Sequence, residues 1–392
     1  MAITASVFRR GSAAICSLIV TAPLLLAQAQ PPLFELTTYP VPSVNYLSDV
    51  DVADVDGDGV VDIGVLVHPN GYRVLLGRGD GSFFPLLDSP LGVVSKVWKA
   101  TLADIDGDAL ADRLLVGESF NVYVQLSLGD GQFVASGVYP IGCVPWELHV
   151  VDLNGDSWLD LAASFGEDPF CWEGITTYLG EPQGLFGNKF TQFVTVQVDM
   201  TALAPADLDG DGDLDLAGAS SGGTLCRFMG AGDGTVGPTI PFPTSGWSAD
   251  CADVDADGWP DVVSMGWTDV QVYRGTGQEA FAPVIVSPEP PAQFNTTSQD
   301  PHLALGDFNA DGHIDAAGAK DGQLLISLGT GSGAFEPATA LFPELVVWWL
   351  RAADVDGDGS TDLVLGCSGA VDEVGVLLNL RPAWPWATVQ PG

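Results

Sequence analysis

The chain repeats one order of short apolar segments separated by turn residues. In the first unit, residues 48–54 (SDVDVAD) alternate polar and apolar side chains, and residues 62–68 (DIGVLVH) are almost wholly apolar. Alternation with period two predicts a half-buried strand, and a short apolar run between turn signals predicts a buried one. Residues 72–77 and 82–88 form two more apolar segments, which follow the turn sequences PNG and RGDG. We therefore predict four antiparallel strands, A to D, with an acidic loop joining A to B.

The acidic loop and its flanking strands recur along the chain at intervals of 46 to 55 residues. The seven copies begin at Asp54, Asp104, Asp152, Asp207, Asp253, Asp307 and Asp354. Repeats of this period are typical of repeat architectures, and four strands in each unit indicate propeller blades. The predicted fold is all-β: a seven-bladed β-propeller of four-stranded antiparallel blades.

The last repeat predicts how the ring closes. It contains strands A, B and C but lacks a D strand, whereas residues 32–40 (PLFELTTYP) form a spare strand that resembles the other D strands. We predict that this N-terminal strand completes the last blade, because closure removes two exposed sheet edges. The propeller would then span residues 30–380, followed by a C-terminal tail at residues 381–392.

Within each acidic loop, positions 1, 3, 5 and 9 always carry an oxygen donor. Position 1 is the first aspartate of each copy. Position 3 is Asp56, Asp106, Asn154, Asp209, Asp255, Asn309 or Asp356. Position 5 is Asp58, Asp108, Asp156, Asp211, Asp257, Asp311 or Asp358. Position 9 is Asp62, Asp112, Asp160, Asp215, Asp261, Asp315 or Asp362. Position 7 varies, as expected if only its backbone carbonyl binds: Val60, Leu110, Trp158, Asp213, Trp259, His313 or Ser360.

Hard oxygen donors around one turn favour Ca²⁺, which takes six to eight oxygens in flexible geometry. Zinc would require histidine or cysteine, and magnesium prefers a stricter octahedral site. The alternative is a set of Asp-Gly turns without metal. An EF-hand is excluded, because position 12 is never glutamate and strands flank the loop. We predict up to seven Ca²⁺ ions. Position 6 is glycine except at Ala109 and Ser157, and position 8 of the fifth loop is Pro260, so these three sites are expected to be weaker.

The pattern DVDGDGVVDIGV, together with the turn LGDGQF, resembles the FG-GAP/VCBS repeat family. This family forms calcium-bearing seven-bladed propellers in integrin α-chain heads and in many secreted bacterial proteins. The resemblance covers about residues 32–380. It implies that positions 1, 3, 5, 7 and 9 of each loop bind Ca²⁺ on one face of the propeller, and it suggests a role in adhesion.

The formal net charge of −38 is concentrated in the acidic loops, which hold about half of the 51 acidic residues. Nucleic acid is not an expected partner, because 13 basic residues offer little to neutralise phosphates. The hydrophobic content of 46% is ample for a packed core.

The N-terminus has the pattern of an export signal. Arg9 and Arg10 precede the apolar residues 12–27, and AQA at residues 27–29 is a small-residue cleavage site. We predict a signal peptide at residues 1–29, a secreted or cell-surface location, and no membrane span after cleavage. The alternative is an uncleaved anchor.

Two cysteines are predicted to pair. Cys143 precedes strand A of the third unit and Cys171 follows its strand B, so both would lie at the same end of one blade. The pair would close a loop worth about 3–4 kcal/mol.

Five tryptophans lie at the start of their A strands, opposite the acidic loops: Trp98, Trp146, Trp247, Trp348 and Trp349. Trp is a good filler between sheets, so packing between blades is one interpretation, and stacking on a protein or glycan ligand is the other. Glu147 and His149 would share a face of one strand near the central channel. No catalytic residue is predicted. The predicted function is a binding or adhesion module for protein or glycan ligands on the face opposite the loops. The alternative is a carbohydrate-active lyase or hydrolase.

Overall fold

The protein is a ring of seven β-sheets in a computed structural model. The described residues are 32, 34–42, 46–68, 71–92, 94, 96–117, 120–142, 144–166, 174–194, 200–220, 223–266, 269–278, 280–288, 302–320, 322–368 and 372–380. These residues contain no helix, and hence no helix that is long and apolar enough to cross a membrane. The predicted signal peptide (1–29) and tail (381–392) lie outside them, so both stay predictions.

Each predicted unit folds as short strands separated by tight turns. The strands are β1 (Phe34–Val41), β2 (Tyr46–Ala53), β3 (Asp62–His68), β4 (Gly71–Leu75), β5 (Leu87–Asp88), β6 (Val97–Ala103), β7 (Asp112–Gly117), β8 (Asn121–Ser127), β9 (Phe133–Pro140), β10 (Val144–Val151), β11 (Asp160–Gly166), β12 (Gly174–Glu181), β13 (Leu185–Phe193), β14 (Met200–Ala206), β15 (Asp215–Ser220), β16 (Thr224–Phe228), β17 (Ile240–Ser245), β18 (Asp250–Ala252), β19 (Asp261–Met265), β20 (Asp269–Tyr273), β21 (Ile285–Pro288), β22 (His302–Gly306), β23 (Asp315–Lys320), β24 (Gln323–Ser327), β25 (Thr339–Leu341), β26 (Val347–Ala353), β27 (Asp362–Cys367) and β28 (Asp372–Asn379).

The sheets have the topology of propeller blades. Six sheets each take four consecutive strands in antiparallel order, beginning with β2-β3-β4-β5. The first strand of each blade contacts the first strand of the next, and β26 contacts both β22 and β2, so these inner strands form a closed ring. The predicted seven-bladed, all-β propeller is confirmed.

The last blade is completed by the first strand. Its order is β1-β28-β27-β26, and β1 pairs with β28 in antiparallel register from Phe34 opposite Asn379 to Val41 opposite Asp372. The predicted closure is therefore confirmed. Because β1 covers the edge of β28, the last blade has the same four strands as the others.

The hydrophobic core lies between adjacent blades. One cluster, for example, joins Leu114 and Val116 of the second blade to Leu161 and Phe165 of the third, all at most 3% exposed. The second strand of each blade is buried on both faces, which explains its nearly continuous apolar sequence. An arginine is nonetheless buried there: the Arg113 guanidinium lies between the rings of Tyr72 and Phe133.

The outer strand of the first blade is shorter than predicted. The sequence predicts a strand over residues 82–88, but only Leu87 and Asp88 form regular pairs, preceded by an isolated bridge between Gly77 and Phe83. Pro85 lies between the two pieces, and a residue without an N–H interrupts a ladder of hydrogen bonds. The outer edge of this blade is therefore irregular.

Candidate metal centres

All seven acidic loops connect the first strand of a blade to the second and turn sharply at two positions. The backbone φ is positive at position 6 in every loop, including Ala109 (69°) and Ser157 (74°). It is also positive at position 4 in every loop, where five loops have glycine but Ala256 (59°) and Ala310 (55°) do not. Left-handed backbone costs about 1–2 kcal/mol for a residue with a Cβ. Loops 2, 3, 5 and 6 therefore each carry one strained residue.

The position 1 carboxylate organises the turn by accepting backbone hydrogen bonds. In the first loop, Asp54 Oδ1 accepts from Gly57 N at 2.7 Å and Oδ2 accepts from Gly59 N at 2.8 Å. Asp58, at position 5, accepts from Val60 N at 2.9 Å. In the fifth loop, Asp257 N donates to Asp253 Oδ1 at 3.0 Å. These bonds hold the carboxylates on the inside of the turn.

The position 9 aspartate is a buried structural anchor in every blade. Asp62 Oδ2 accepts from Val55 N within the loop at 2.8 Å, and its Oδ1 accepts from Gly77 N, just after the third strand, at 2.7 Å. The same pair of bonds recurs at the other six positions: Asp112, Asp160, Asp215, Asp261, Asp315 and Asp362. All seven are at most 1% exposed. Sequence reasoning assigned this residue to metal alone and missed that it ties the loop to the third strand.

Burial raises the pKa of the position 9 carboxyl groups. Desolvation is the largest cause, partly offset by the two backbone hydrogen bonds, and it brings the pKa of Asp62 to about 6 and that of Asp112 to about 7. The negative charges of Asp209 and Asp211, at positions 3 and 5, also raise the pKa of Asp215. A nearby divalent cation would favour the ionised form of each group.

Three carboxylates converge in five of the loops. In the first two loops the clusters are Asp54, Asp56, Asp58 and Asp104, Asp106, Asp108. In the fourth, fifth and seventh they are Asp207, Asp209, Asp215; Asp253, Asp255, Asp261; and Asp354, Asp356, Asp362. Within each cluster the oxygens lie within 4.8 Å of one another. In the third and sixth loops, position 3 is an asparagine, whose amide donates to the position 5 carboxylate. An all-oxygen donor set fits a hard divalent cation and does not fit zinc.

The fifth loop differs from the others because an arginine enters it. Arg274 Nη1 lies 3.2 Å from Asp255 Oδ2, where it pairs with a position 3 carboxylate that is only 9% exposed. The guanidinium competes with any metal for that oxygen. A weaker site was predicted here because of Pro260, but the sequence did not reveal Arg274, which directly follows the third strand of the blade.

Position 7 side chains pack over the preceding loop in several blades. Leu110 lies against Gly57, Trp158 against Gly107, and Trp259 against Gly210. A Cβ on Gly57 would come within 2.7 Å of Leu110 Cδ2. The sequence varies at position 7, as expected if only its carbonyl binds, and the structure adds that this side chain links neighbouring loops in three places. The first three loops are thus joined to one another, and the fourth is joined to the fifth.

The repeated loops and strands match a known protein-family model. A family model described as the FG-GAP-like repeat matches residues 54–115, 207–264, 253–317 and 307–365, more than half of the chain. The chain belongs to the FG-GAP-like repeat family. The third loop lies outside the matched segments, in keeping with its departures at Asn154 and Ser157. No curated protein matches this FG-GAP-like chain.

Solved structures support the fold. A lectin from Agrocybe aegerita, studied for specific recognition of non-reducing terminal N-acetylglucosamine, is 21% identical, with a TM-score of 0.52 over 76% of this chain and 80% of the lectin. BBS1N, solved in complex with ARL6DN, is 13% identical, with a TM-score of 0.56 over 90% of this chain and 99% of BBS1N. At these identities the likeness shows the propeller fold alone.

The five predicted tryptophans are all partly buried and lie in different surroundings. Trp98 Nε1 donates to Pro145 O of the next blade at 3.1 Å, which is a packing role. The Trp349 ring lies 4.2 Å from that of His302, Trp247 lines the central channel, and Trp348 is half-buried. Trp146 Nε1 is buried without a hydrogen-bond partner in the described residues. A ligand contact at these tryptophans stays a prediction.

The predicted disulfide cannot be placed. Cys143 and Cys171 lie outside the described residues, and the described cysteines Cys226, Cys251 and Cys367 are free thiols. The pairing of Cys143 with Cys171 stays a prediction.

Proposed function

We propose that this FG-GAP-like propeller is a secreted, calcium-stabilised binding module, which takes a protein or glycan ligand at the end of the blades opposite the acidic loops. The observation that carries the proposal is the convergence of three carboxylates in each of five loops. Without a cation, each pair of carboxylates at about 4 Å costs about 1 kcal/mol in water and about 4 kcal/mol at an effective dielectric of 20. A bound Ca²⁺ reverses the sign of that interaction.

Calcium would be held by the carboxylates of positions 1, 3, 5 and 9 and by the carbonyl of position 7. The family supports this assignment, since FG-GAP-like repeats are generally calcium-binding. Extracellular calcium modules bind at about 0.1–1 mM, and each tenfold excess of calcium over the dissociation constant adds about 1.4 kcal/mol per site. Several loops in one ring would thus contribute free energy comparable with the whole stability of a domain, about 5–15 kcal/mol.

The calcium test is a melting curve recorded in chelator, in millimolar calcium, and in sodium chloride at matched ionic strength. The melting temperature should rise strongly with calcium, and sodium chloride should restore only part of the loss, because screening does not replace coordination. Identical curves in chelator and calcium would remove the calcium part of the proposal.

Two observations support the binding role. The blades form a rigid ring, and the sequence of the loops at one end of such a scaffold can vary without changing the fold. A lectin is also among the similar solved structures. Secretion is supported by the export pattern of residues 1–29. A glycan array with the calcium-loaded protein separates glycan from protein ligands. Release of unsaturated uronate products from a polysaccharide would instead establish the lyase alternative.

A further inference from the structure

The central channel of the propeller contains a cavity of about 430 Å³ that is separate from the acidic loops. Its lining comes from the inner strands, from Trp247 at the end opposite the loops to Ala103, next to a loop. A cavity of this size is within the range of small-molecule sites, about 300–1,000 Å³. Three neighbouring blades each contribute a small residue to the wall: Ala202, Ser248 and Ala304. These small side chains help to leave the volume open.

On the other side of the cavity, both cationic side chains are paired with carboxylates. Lys99 Nζ lies 2.8 Å from Glu147 Oε1. Arg351 lies 3.5 Å from Asp49 and 3.4 Å from Asp51. The two aspartates also accept hydrogen bonds from backbone amides of the next blade. These groups form a closed network with little affinity left for an anion.

Asp250 is a carboxylate of the cavity that does not take part in this network. It lines the cavity, and no cationic side chain of the described residues lies within 4.0 Å of it. Its hydrogen bonds come from backbone amides, including Cys251 N at 2.8 Å. Burial raises the pKa of Asp250 to about 6, although two backbone hydrogen bonds and the positive charge of Arg351 act to lower it.

The histidines do not supply the missing positive charge. Burial lowers the pKa of His302 to about 3, helped by the positive charges of Lys99 and Arg351, so its ring is neutral. Burial also lowers the pKa of His149, against the opposing effect of Glu147. Three carboxylates (Asp51, Glu147 and Asp250) and two cations (Lys99 and Arg351) therefore line the cavity, an excess of one negative charge among the lining side chains. The buried Asp49, which pairs with Arg351, is not part of this lining. The described acids and histidines of the cavity form no cluster close enough to hold a metal ion.

We propose that the central cavity binds a small organic cation, with its ammonium or guanidinium group on Asp250 and its carbon chain along the small side chains and the Trp247 ring. The excess negative charge selects a cation over an anion. The volume, and the mixed aromatic and aliphatic wall, select an organic ligand over a bare ion. Aromatic faces also attract ammonium and guanidinium groups. This site uses none of the loop carboxylates, so it goes beyond the calcium proposal.

The test is calorimetric titration of the purified protein with 1,4-diaminobutane, in saturating calcium and about 150 mM salt to screen the acidic surface. We expect one diamine per chain, and no binding of the neutral isostere 1,4-butanediol. Asp250→Asn, which keeps the shape, should weaken binding at least about tenfold. Ala202→Leu, which fills the cavity without changing charge, should do the same. Asp80→Asn, in an exposed turn, is the matched control and should change the affinity less than about twofold.

Several outcomes would overturn the proposal. These are a diol that binds as well as the diamine, an Asp250→Asn protein with unchanged affinity, or a site that prefers Mg²⁺ to the diamine. If either variant folds poorly, the native protein still decides: the diamine should shift the indole N–H resonance of Trp247, identified by its absence in Trp247→Phe. A resonance that does not move would count against the site. Loss of calcium binding alone would not, since the loop carboxylates are not part of it.

Discussion

The position 9 aspartates should stabilise the blades with or without metal, and the fourth loop allows this to be tested. Asp215 is 1% exposed, and it accepts from Leu208 N at 2.8 Å and from Gly230 N at 2.6 Å. In Asp215→Ala both amides lose their acceptor; the amide of Leu208 stays buried, and Gly230 is half-buried. An unsatisfied buried group costs about 1–3 kcal/mol and a half-buried one less, so the free energy of unfolding should fall by about 1–4 kcal/mol.

Position 3 of the same loop provides the matched comparison. Asp209 accepts a longer bond, from Asp211 N at 3.2 Å, and asparagine already occupies this position in the third and sixth loops. Asp209→Asn keeps the acceptor oxygen and removes one charge. In chelator its effect should be within about 0.5 kcal/mol, and in calcium it should lose about 1.4 kcal/mol for each tenfold loss of affinity.

The assay is chemical denaturation of each variant over a series of calcium concentrations down to chelator. The stability curve of Asp215→Ala should lie below the wild-type curve at every calcium concentration. The curve of Asp209→Asn should meet the wild-type curve as calcium is removed. If Asp215→Ala and the wild type are equally stable in chelator, position 9 is a metal ligand only, and the anchoring argument fails.

Four further predictions concern other parts of the ring. Ala109→Gly and Ala256→Gly should each raise the free energy of unfolding by up to about 1 kcal/mol, because glycine accepts a positive φ. Ala111→Gly is the control: φ is not positive at Ala111, so this change should lower the free energy of unfolding. Equal losses in all three variants would contradict the proposed backbone strain. In chelator, the raised pKa values of the position 9 carboxyl groups stabilise the fold fully below about pH 4, and this contribution is lost as the pH rises through 6 to 7. The protein should therefore be more stable at pH 5 than at pH 8, as measured by denaturation midpoints. A stability that rises toward pH 8 would refute this. Arg274→Gln should raise calcium affinity in the fifth loop severalfold by freeing Asp255, as measured by titration calorimetry, and an unchanged isotherm would argue against competition. Deletion of β1 should expose β28 and cause aggregation in size-exclusion chromatography, and a monomer with an unchanged melting temperature would count against its role in the ring.

The blades and their closure were predictable because they depend on local patterns. Alternation in residues 48–54 and the apolar run in residues 62–68 are set by which side chains face a neighbouring blade, and a period of about 50 residues repeats that signal seven times. The spare strand at residues 32–40 was recognisable because the last unit lacked its fourth strand. Pro85 was also visible, although its interruption of the outer strand was not anticipated.

The remaining features depend on contacts between residues far apart in the chain. The hydrogen bond from Gly77 N to Asp62, the entry of Arg274 into the fifth loop, and the packing of Leu110 on Gly57 all join different turns or blades. The channel network is set by blades one, two, three and seven together, since Arg351 pairs with Asp49 and Asp51 across the closure of the ring. No local pattern in a single repeat contains these distances. A positive φ at position 4 would have been detectable from the glycines there, had position 4 been compared across the loops.

The pairing of β1 with β28 also determines the order in which the molecule can be completed. Of the described strands, β1 is synthesised first and β28 last, so β1 has no partner in its sheet until β28 is available. The entropic cost of closing a loop rises only slowly with the length of the loop. Contacts between residues so far apart in sequence nevertheless form slowly. Until these contacts form, β1 is unpaired and the edge of β28 in the last blade is open. The β1 strand of another chain can then pair with that edge. Folding of this ring should therefore compete with strand exchange between molecules, and dilution during refolding should favour the monomer.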